Sequence, residues 1–265
     1  MEVAYMVSRE DLLRYDFKNE SPNYDVANEI EPIRKFILYK MSYRGTKFDC
    51  DRCLLAKEMY RFIYGGKYGG IINNLEPDTM NSFYTTYRQM LLNKDKVYWS
   101  MDFEKYCESK GYVYEQLKKR YETMKMLRYT WLLTDKVYNY YRDINENKEI
   151  RRFASLTHSI GNFTFVPKGF NTKRAVKFKD FWDLSLNEIK TNYKSKYIKD
   201  YGGLQFSDMI SIFKLGMYLN RAGDVDRFSD SYFSKVKSNE DMVNMIGKIN
   251  KKILIRAKSM LGLSV

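Results

Sequence analysis

The single histidine, His158, lies in the segment HSIGNFTFVPKGFNTKR, the densest polar constellation in the chain. An imidazole titrates near neutral pH and so can act as general base or acid. Around it, Asn162 and Asn171 could orient a substrate, while Lys168 and Arg174 could stabilise an anionic group. A second polar group, Asp78-Thr79-Met80-Asn81-Ser82-Phe83, reads as the start of a helix, where backbone N–H groups lack partners and attract anions. Were that N-terminus to meet the turn from Lys168 to Arg174, a phosphate or carboxylate site would result. It would be built from Asp78, Asn81, Ser82, Asn162, Lys168, Asn171, Arg174 and Asp183. The same residues also have plain structural uses: Asp78 and Asp183 as helix caps, Asn162 and Asn171 as loop ties, and a lone histidine as part of the core.

Cys50-Asp51-Arg52-Cys53 is a C-x2-C pair that reaches a Cys3His count with Cys107 and His158. Structural zinc motifs bring two close pairs of ligands, and here the third and fourth are isolated, so no metal is expected. No cofactor is expected either, and magnesium would enter only if the chain were an enzyme. The pairs Gly65-Gly66 and Gly69-Gly70 read as a flexible turn. They are not a phosphate loop, because no Gly-Lys-Ser/Thr follows at the required spacing.

Helices must do most of the positioning, since four prolines are spread over 265 residues and the apolar spacing is near 3.6. Glu31 to Met41 fits a short helix or a strand. From Pro77 a helix is predicted, with Met80, Phe83, Tyr84, Tyr87 and Leu91 on one face. Further helices are predicted over Tyr112 to Met126, Tyr129 to Ile144, Asp180 to Tyr193 and Phe206 to Leu219, the last fully buried. Their tyrosines read mainly as core and core-edge residues. Phe163 to Val166 is the one strand signal, closed by Pro167 and Gly169. A capping-box pattern at Ser238 to Asp241 opens a final helix through about Met260, with Met242, Ile246, Ile249 and Ile253 on its apolar face. The expectation is a mainly α, compact single domain over residues 1–265, with one small β element near residues 160–170.

Several of these segments resemble an uncharacterised family of bacterial and phage proteins. The resemblance rests on Asp78 to Phe83, His158 to Asn162, Gly169-Phe170-Asn171 with Arg174, and Asp180 with Trp182-Asp183-Leu184-Ser185-Leu186, and it spans roughly residues 70–220. It implies a phage or bacterial-defence setting and transfers no activity. A weaker resemblance links Gly161-Asn162-Phe163-Thr164-Phe165 and Asn171 to the second half of HNH-type nuclease modules. The Asp-His pair that activates water in those modules has no counterpart here.

The chain carries 46 Lys+Arg against 33 Asp+Glu, a formal charge of +13. Residues 168–200 hold 9 basic and 4 acidic side chains, and 235–265 hold 7 and 2, so two short segments supply most of the excess. Lys173, Lys177, Lys179, Lys248, Lys251, Lys252 and Lys258 are therefore the candidate nucleic-acid surface. An AT-rich genome also inflates lysine without any phosphate partner. No apolar run is long enough to span a bilayer, and the odd cysteine count fits a reducing, cytoplasmic setting. The leading functional expectation is a binding protein that engages nucleic acid, or an acidic protein partner, through its basic C-terminal surface. The alternative is an enzyme acting on a nucleic-acid or nucleotide phosphate through His158.

Overall fold

The computed structural model describes residues 15–16, 21–22, 31–42, 64, 70–71, 75–178, 181–229 and 238–263. Most of these are helical, and a small antiparallel sheet is set among the helices. Glu31 to Met41 resolves as helix: α1 spans Pro32–Ser42. Its buried Ile33, Phe36 and Ile37 follow the i, i+3, i+4 spacing of one helical face. The Glu31 carboxylate accepts from the N–H groups of Ile33 and Arg34 and so closes the helix start.

The largest departure from expectation falls at Pro77. Leu75–Thr79 is a strand, β1, paired with β2 (Phe163–Pro167) in antiparallel register from Leu75↔Pro167 to Thr79↔Phe163. The helix predicted from Pro77 begins later, as α2 (Phe83–Lys94), with Ser82 at its N-cap accepting from Thr85 N–H. Each strand of a two-stranded ladder keeps one unpaired edge, where a proline's missing donor is tolerated. The pairing was hidden because its partner lies more than 80 residues away, and Pro-Asp before an apolar helical face is an ordinary helix-start signal. All five residues of β2 are buried, polar Thr164 among them.

Helix α3 (Lys96–Ser109) follows at once, capped by Asp95, and α4 covers Tyr121–Leu132. The two long helices predicted over 112–144 are thus broken into shorter ones, with stops at Lys118-Lys119-Arg120 and at Leu133-Thr134. Helix α5 (Lys148–Leu156) takes Asn147 as its cap, and α6 (Trp182–Thr191) begins after Phe181. The segment predicted as one buried helix from Phe206 stops at Ile212, and its Asp208 and Ser211 are exposed. The final helix, α7 (Asn239–Leu261), opens with the expected capping box at Ser238 and Asp241 and closes on left-handed Gly262.

Helix α7 packs against α5 and against the single turn Ile160–Asn162 that leads into β2. The approach is closest at Gly161, where a Cβ would lie 2.1 Å from the Ile253 carbonyl oxygen and 3.0 Å from the Ala257 Cβ. Both neighbours belong to α7, so neither can yield without moving the helix. The variant Gly161→Ala is expected to lose about 3 kcal/mol or more of stability. Urea denaturation measures it, and a midpoint equal to wild type would contradict this packing.

Candidate functional site

The motif residues do meet in space, but they close on one another. Arg174 is wholly buried, and its guanidinium contacts the Asp78 carboxylate directly. Its other donors reach Ser185 Oγ at 2.8 Å, the Thr79 carbonyl at 2.7 Å and the Met80 carbonyl at 2.6 Å. Trp182 lies 5.6 Å from the guanidinium carbon, ring centre to Cζ. Beside this pair, Asn162 Oδ1 accepts from Asn81 N–H at 3.1 Å and from Asn81 Nδ2 at 3.2 Å. Asn162 Nδ2 donates in return to the carbonyls of Asn81 and Thr157. Asn81 Oδ1 accepts from the Trp182 N–H at 3.2 Å.

This arrangement corrects the expected anion pocket. A buried guanidinium whose donors already face a carboxylate, a hydroxyl and two carbonyls has no fork left for a ligand. Asn81 and Asn162 satisfy backbone groups where β1 ends and β2 begins. Asp183 turns the other way and accepts from Phe228 N–H, Ser229 N–H and Ser229 Oγ, at 3.0, 2.9 and 2.7 Å. Burial pushes its carboxyl above the ordinary aspartate value, with the hydrogen bonds from Ser229 opposing the shift. Ser82 caps α2, while Lys168 stays exposed and Asn171 half-buried on the turn outside.

His158 is placed in the core rather than in a cleft. Its ring is 6% exposed, stacks on Phe36 at 5.3 Å and 22°, and meets Tyr39 at 5.0 Å. The general-base role would need an open approach to the imidazole, and aromatic packing occupies it. Cys107 is a buried free thiol whose pKa burial raises, and Cys50 and Cys53 lie outside the described residues. Among the described residues no group of three or more His, Cys, Asp or Glu side chains could hold a metal.

The lysines separate into two kinds. Lys173, Lys177, Lys248 and Lys251 are exposed, Lys258 is half-buried, and Lys179 lies outside the described residues. Lys252 is not a free surface cation: its ammonium donates to the Met217 carbonyl at 2.6 Å and pairs with Asp226 at 2.9 Å. Arg256 is likewise lost to the surface. It is wholly buried and donates to the carbonyls of Phe213 and Gly161 at 3.0 and 3.1 Å and, more closely, to Phe163. Its spacing of 3, 7 and 10 from Ile253, Ile249 and Ile246 puts it on the apolar face of α7, a signal that charge counting passes over.

One cationic cluster emerges that sequence reading only half captured. Two single turns of π-helix, Arg174–Phe178 and Tyr193–Tyr197, follow the short helix Phe170–Lys173 and α6 respectively. Phe170 packs on Phe178 and on Tyr197, at 6.3 and 5.6 Å between ring centres. That packing gathers Lys173, Lys177 and Lys196 on one exposed face, and the like charges of Lys196 and Lys177 hold the Lys173 ammonium below the ordinary lysine value. Glu188 pairs with Lys196 at 3.8 Å. Lys194 and Lys199 are exposed on the same stretch.

Fold and polar centre together define a mainly α protein whose motif residues tie a buried sheet to its helices, with exposed lysines outside. Comparison with family models, with curated proteins and with solved structures returns no match. Among the described residues no helix is long and apolar enough to cross a membrane.

Asp78→Asn, which leaves the Arg174 charge buried and unpaired, is expected to cost about 3–5 kcal/mol. Adding Arg174→Met should return part of that loss, and a double-mutant cycle by chemical denaturation reads the coupling; additive losses would refute the pairing. Asp183 carries a pH signature. Because its folded pKa is raised, the fold binds the proton more tightly than the unfolded chain, so its contribution is greatest at low pH and is lost as pH rises through the folded value. Wild-type stability relative to Asp183→Asn should therefore fall as pH rises above the ordinary aspartate value of about 4, and a flat difference would contradict it.

Proposed function

We propose that the chain is a cytoplasmic, non-enzymatic nucleic-acid-binding protein that holds a phosphate backbone on the lysine face around Lys173, Lys177 and Lys196. The observation that carries this reading is the gathering of exposed Lys173, Lys177 and Lys196 around the packed rings of Phe170, Phe178 and Tyr197. Like charges crowded on a surface gain free energy when a polyanion arrives and condensed counterions leave. Lysines suit a backbone read by charge, whereas bidentate recognition of single groups favours arginine. Tyr197 and Phe178, packed beneath, hold the lysine-bearing turns in place. The phage or bacterial-defence setting rests on the resemblance of the 70–220 motifs alone. Lys248 and Lys251 on α7 form a second, sparser basic strip, so the C-terminal helix is secondary in this reading.

Fluorescence anisotropy with labelled single- and double-stranded RNA and DNA at two or more salt concentrations tests it, with a denaturing gel on the same samples. Affinity should weaken steeply with salt while the strands stay intact. Charge reversal at Lys173, Lys177 and Lys196 together should flatten the dependence of log Kd on log salt by about three. Reversal at Lys248 and Lys251 should have the smaller effect. Salt-insensitive binding, or unchanged binding in the triple variant, would overturn the proposal, and strand cleavage would move the reading to an enzyme.

A further inference from the structure

Between the end of α3 and the first turn of α4 one local pattern recurs three times. A tyrosine is followed four residues later by a lysine whose ammonium lies over its ring. Lys110 stands over Tyr106 at 5.5 Å, Lys118 over Tyr114 at 5.2 Å and Lys125 over Tyr121 at 5.5 Å, each measured to the ring centre. On a helix that spacing puts two side chains on one face, so the pairs form as soon as the helical turns do. Residues 105–125 carry six Lys and Arg against three Glu, and Glu115 is engaged by Lys118 at 2.6 Å. Two tyrosines of this stretch stand outside the core: Tyr112 is 36% exposed and Tyr121 63%.

Packing and backbone hydrogen bonds fix where these rings stand. Gly111 is left-handed, with φ 79°, and the Tyr112 N–H donates to the Cys107 carbonyl at 3.1 Å, which folds Tyr112 back on the end of α3. Tyr114, on the short helix Tyr114–Leu117, packs on Phe103 at 6.1 Å between ring centres, and Phe103 packs on Trp131 of α4 at 5.6 Å. The Arg120 N–H donates to the Leu117 carbonyl at 2.8 Å, setting the turn on which Lys119, Arg120 and Tyr121 are exposed. The lysine face differs in one respect: its rings Phe170, Tyr193 and Tyr197 are buried, so it meets a partner mainly with charge.

We propose that this connection is a second nucleic-acid surface, one that takes a single strand by stacking its bases on Tyr112 and Tyr121 while Lys110, Lys119, Arg120 and Lys125 hold the flanking phosphates. An unpaired base offers its π-face to an exposed ring, whereas the bases of a duplex already stack on one another. Every base has such a face, so the binding is tolerant of sequence. Rings interleaved with cations match the alternation of bases and phosphates along a strand. A lipid surface fits less well, because a bilayer takes up aliphatic side chains and Val113 is the one large aliphatic residue exposed within 105–125. The surface goes beyond the lysine face and does not rest on it, since it adds stacking to charge.

A labelled oligothymidylate of about 16 nucleotides, which forms no duplex of its own, would be titrated by anisotropy beside a duplex of the same length, with vesicles containing phosphatidylserine as a third arm. Tyr112→Ala with Tyr121→Ala should weaken single-strand binding about tenfold or more and leave duplex binding unchanged. Its salt slope on the single strand should equal that of wild type, because stacking releases no counterions. Tyr112→Phe with Tyr121→Phe keeps both rings and should bind as wild type. Lys119→Glu with Arg120→Glu, at exposed positions, should also weaken single-strand binding, and it reads the same surface should the alanine variant fail to fold. The loss caused by the two alanines should persist when Lys173, Lys177 and Lys196 are reversed, which separates this surface from the lysine face. No single-strand binding, undiminished binding in the alanine or the charge-reversed variant, an equal loss on the duplex, or an equal loss in the phenylalanine variant would overturn the proposal. Vesicle binding that depends on Tyr112 and Tyr121 would overturn it in favour of a membrane.

Discussion

The constraint on which the rest of the structure depends is the burial of a two-stranded sheet inside a helical domain. Two strands satisfy only the edges they turn to each other, and the outer edges present N–H and C=O groups that need partners once water is excluded. Here side chains supply them from a distance. Arg174 takes the carbonyls of Thr79 and Met80 where β1 ends, and Arg256 takes those of Gly161 and Phe163 where β2 begins. Asn162 takes the Asn81 and Thr157 carbonyls, and the Tyr201 hydroxyl takes that of Phe165 at 3.2 Å. Helices α2, α6 and α7 are thereby oriented around one small sheet. That is why polar residues far apart in sequence behave as a unit.

The same constraint sorts the cations. A guanidinium is planar, more weakly hydrated than an ammonium and rich in fixed donors, so it can be buried if carbonyls and a carboxylate meet it. An ammonium is a strongly hydrated point charge and stays outside. Arg174 and Arg256 are accordingly wholly internal, while Lys173, Lys177, Lys194 and Lys196 are exposed. The formal +13 therefore overstates the arginine available to a partner and understates how far lysine dominates the surface. Lys252, held by Met217 and Asp226, and Lys190, held by Gly223 and Asp224, are lysines tied down by a carbonyl and a carboxylate.

Much of the helical architecture was legible because it is local. The capping box at Ser238, the apolar faces of α1, α2 and α7, and the extended run Phe163 to Val166 each depend on spacing within about a turn or a strand. The errors at Pro77 and over 112–144 have one origin. Pro77-Asp78 and the tyrosine-rich segments carry patterns compatible with more than one local structure, and the choice was made by a partner distant in sequence: β2 for the first, the packing of short helices for the second. The candidate site divides in the same way. That Asp78, Asn81, Asn162, Arg174 and Asp183 matter could be read from their motifs, but the mutual exhaustion of their hydrogen bonds could not.

The sequence by itself determined a mainly helical chain with one strand near Phe163, a lysine excess concentrated in two segments, and the set of polar residues that belong together. These follow from periodicity, composition and short-range chemistry, which need no knowledge of long-range contacts. Only the tertiary structure decided that the motif residues face inward, that His158 stacks on Phe36 in the core, and that Tyr197, the neighbour of Lys196, packs on Phe170 in the short helix that bears Lys173. Whether a polar side chain serves a ligand or the fold depends on which groups already hold its donors and acceptors. That count is fixed by contacts across 80 to 190 residues of chain, as between Asn81 and Asn162 or Tyr64 and Arg256.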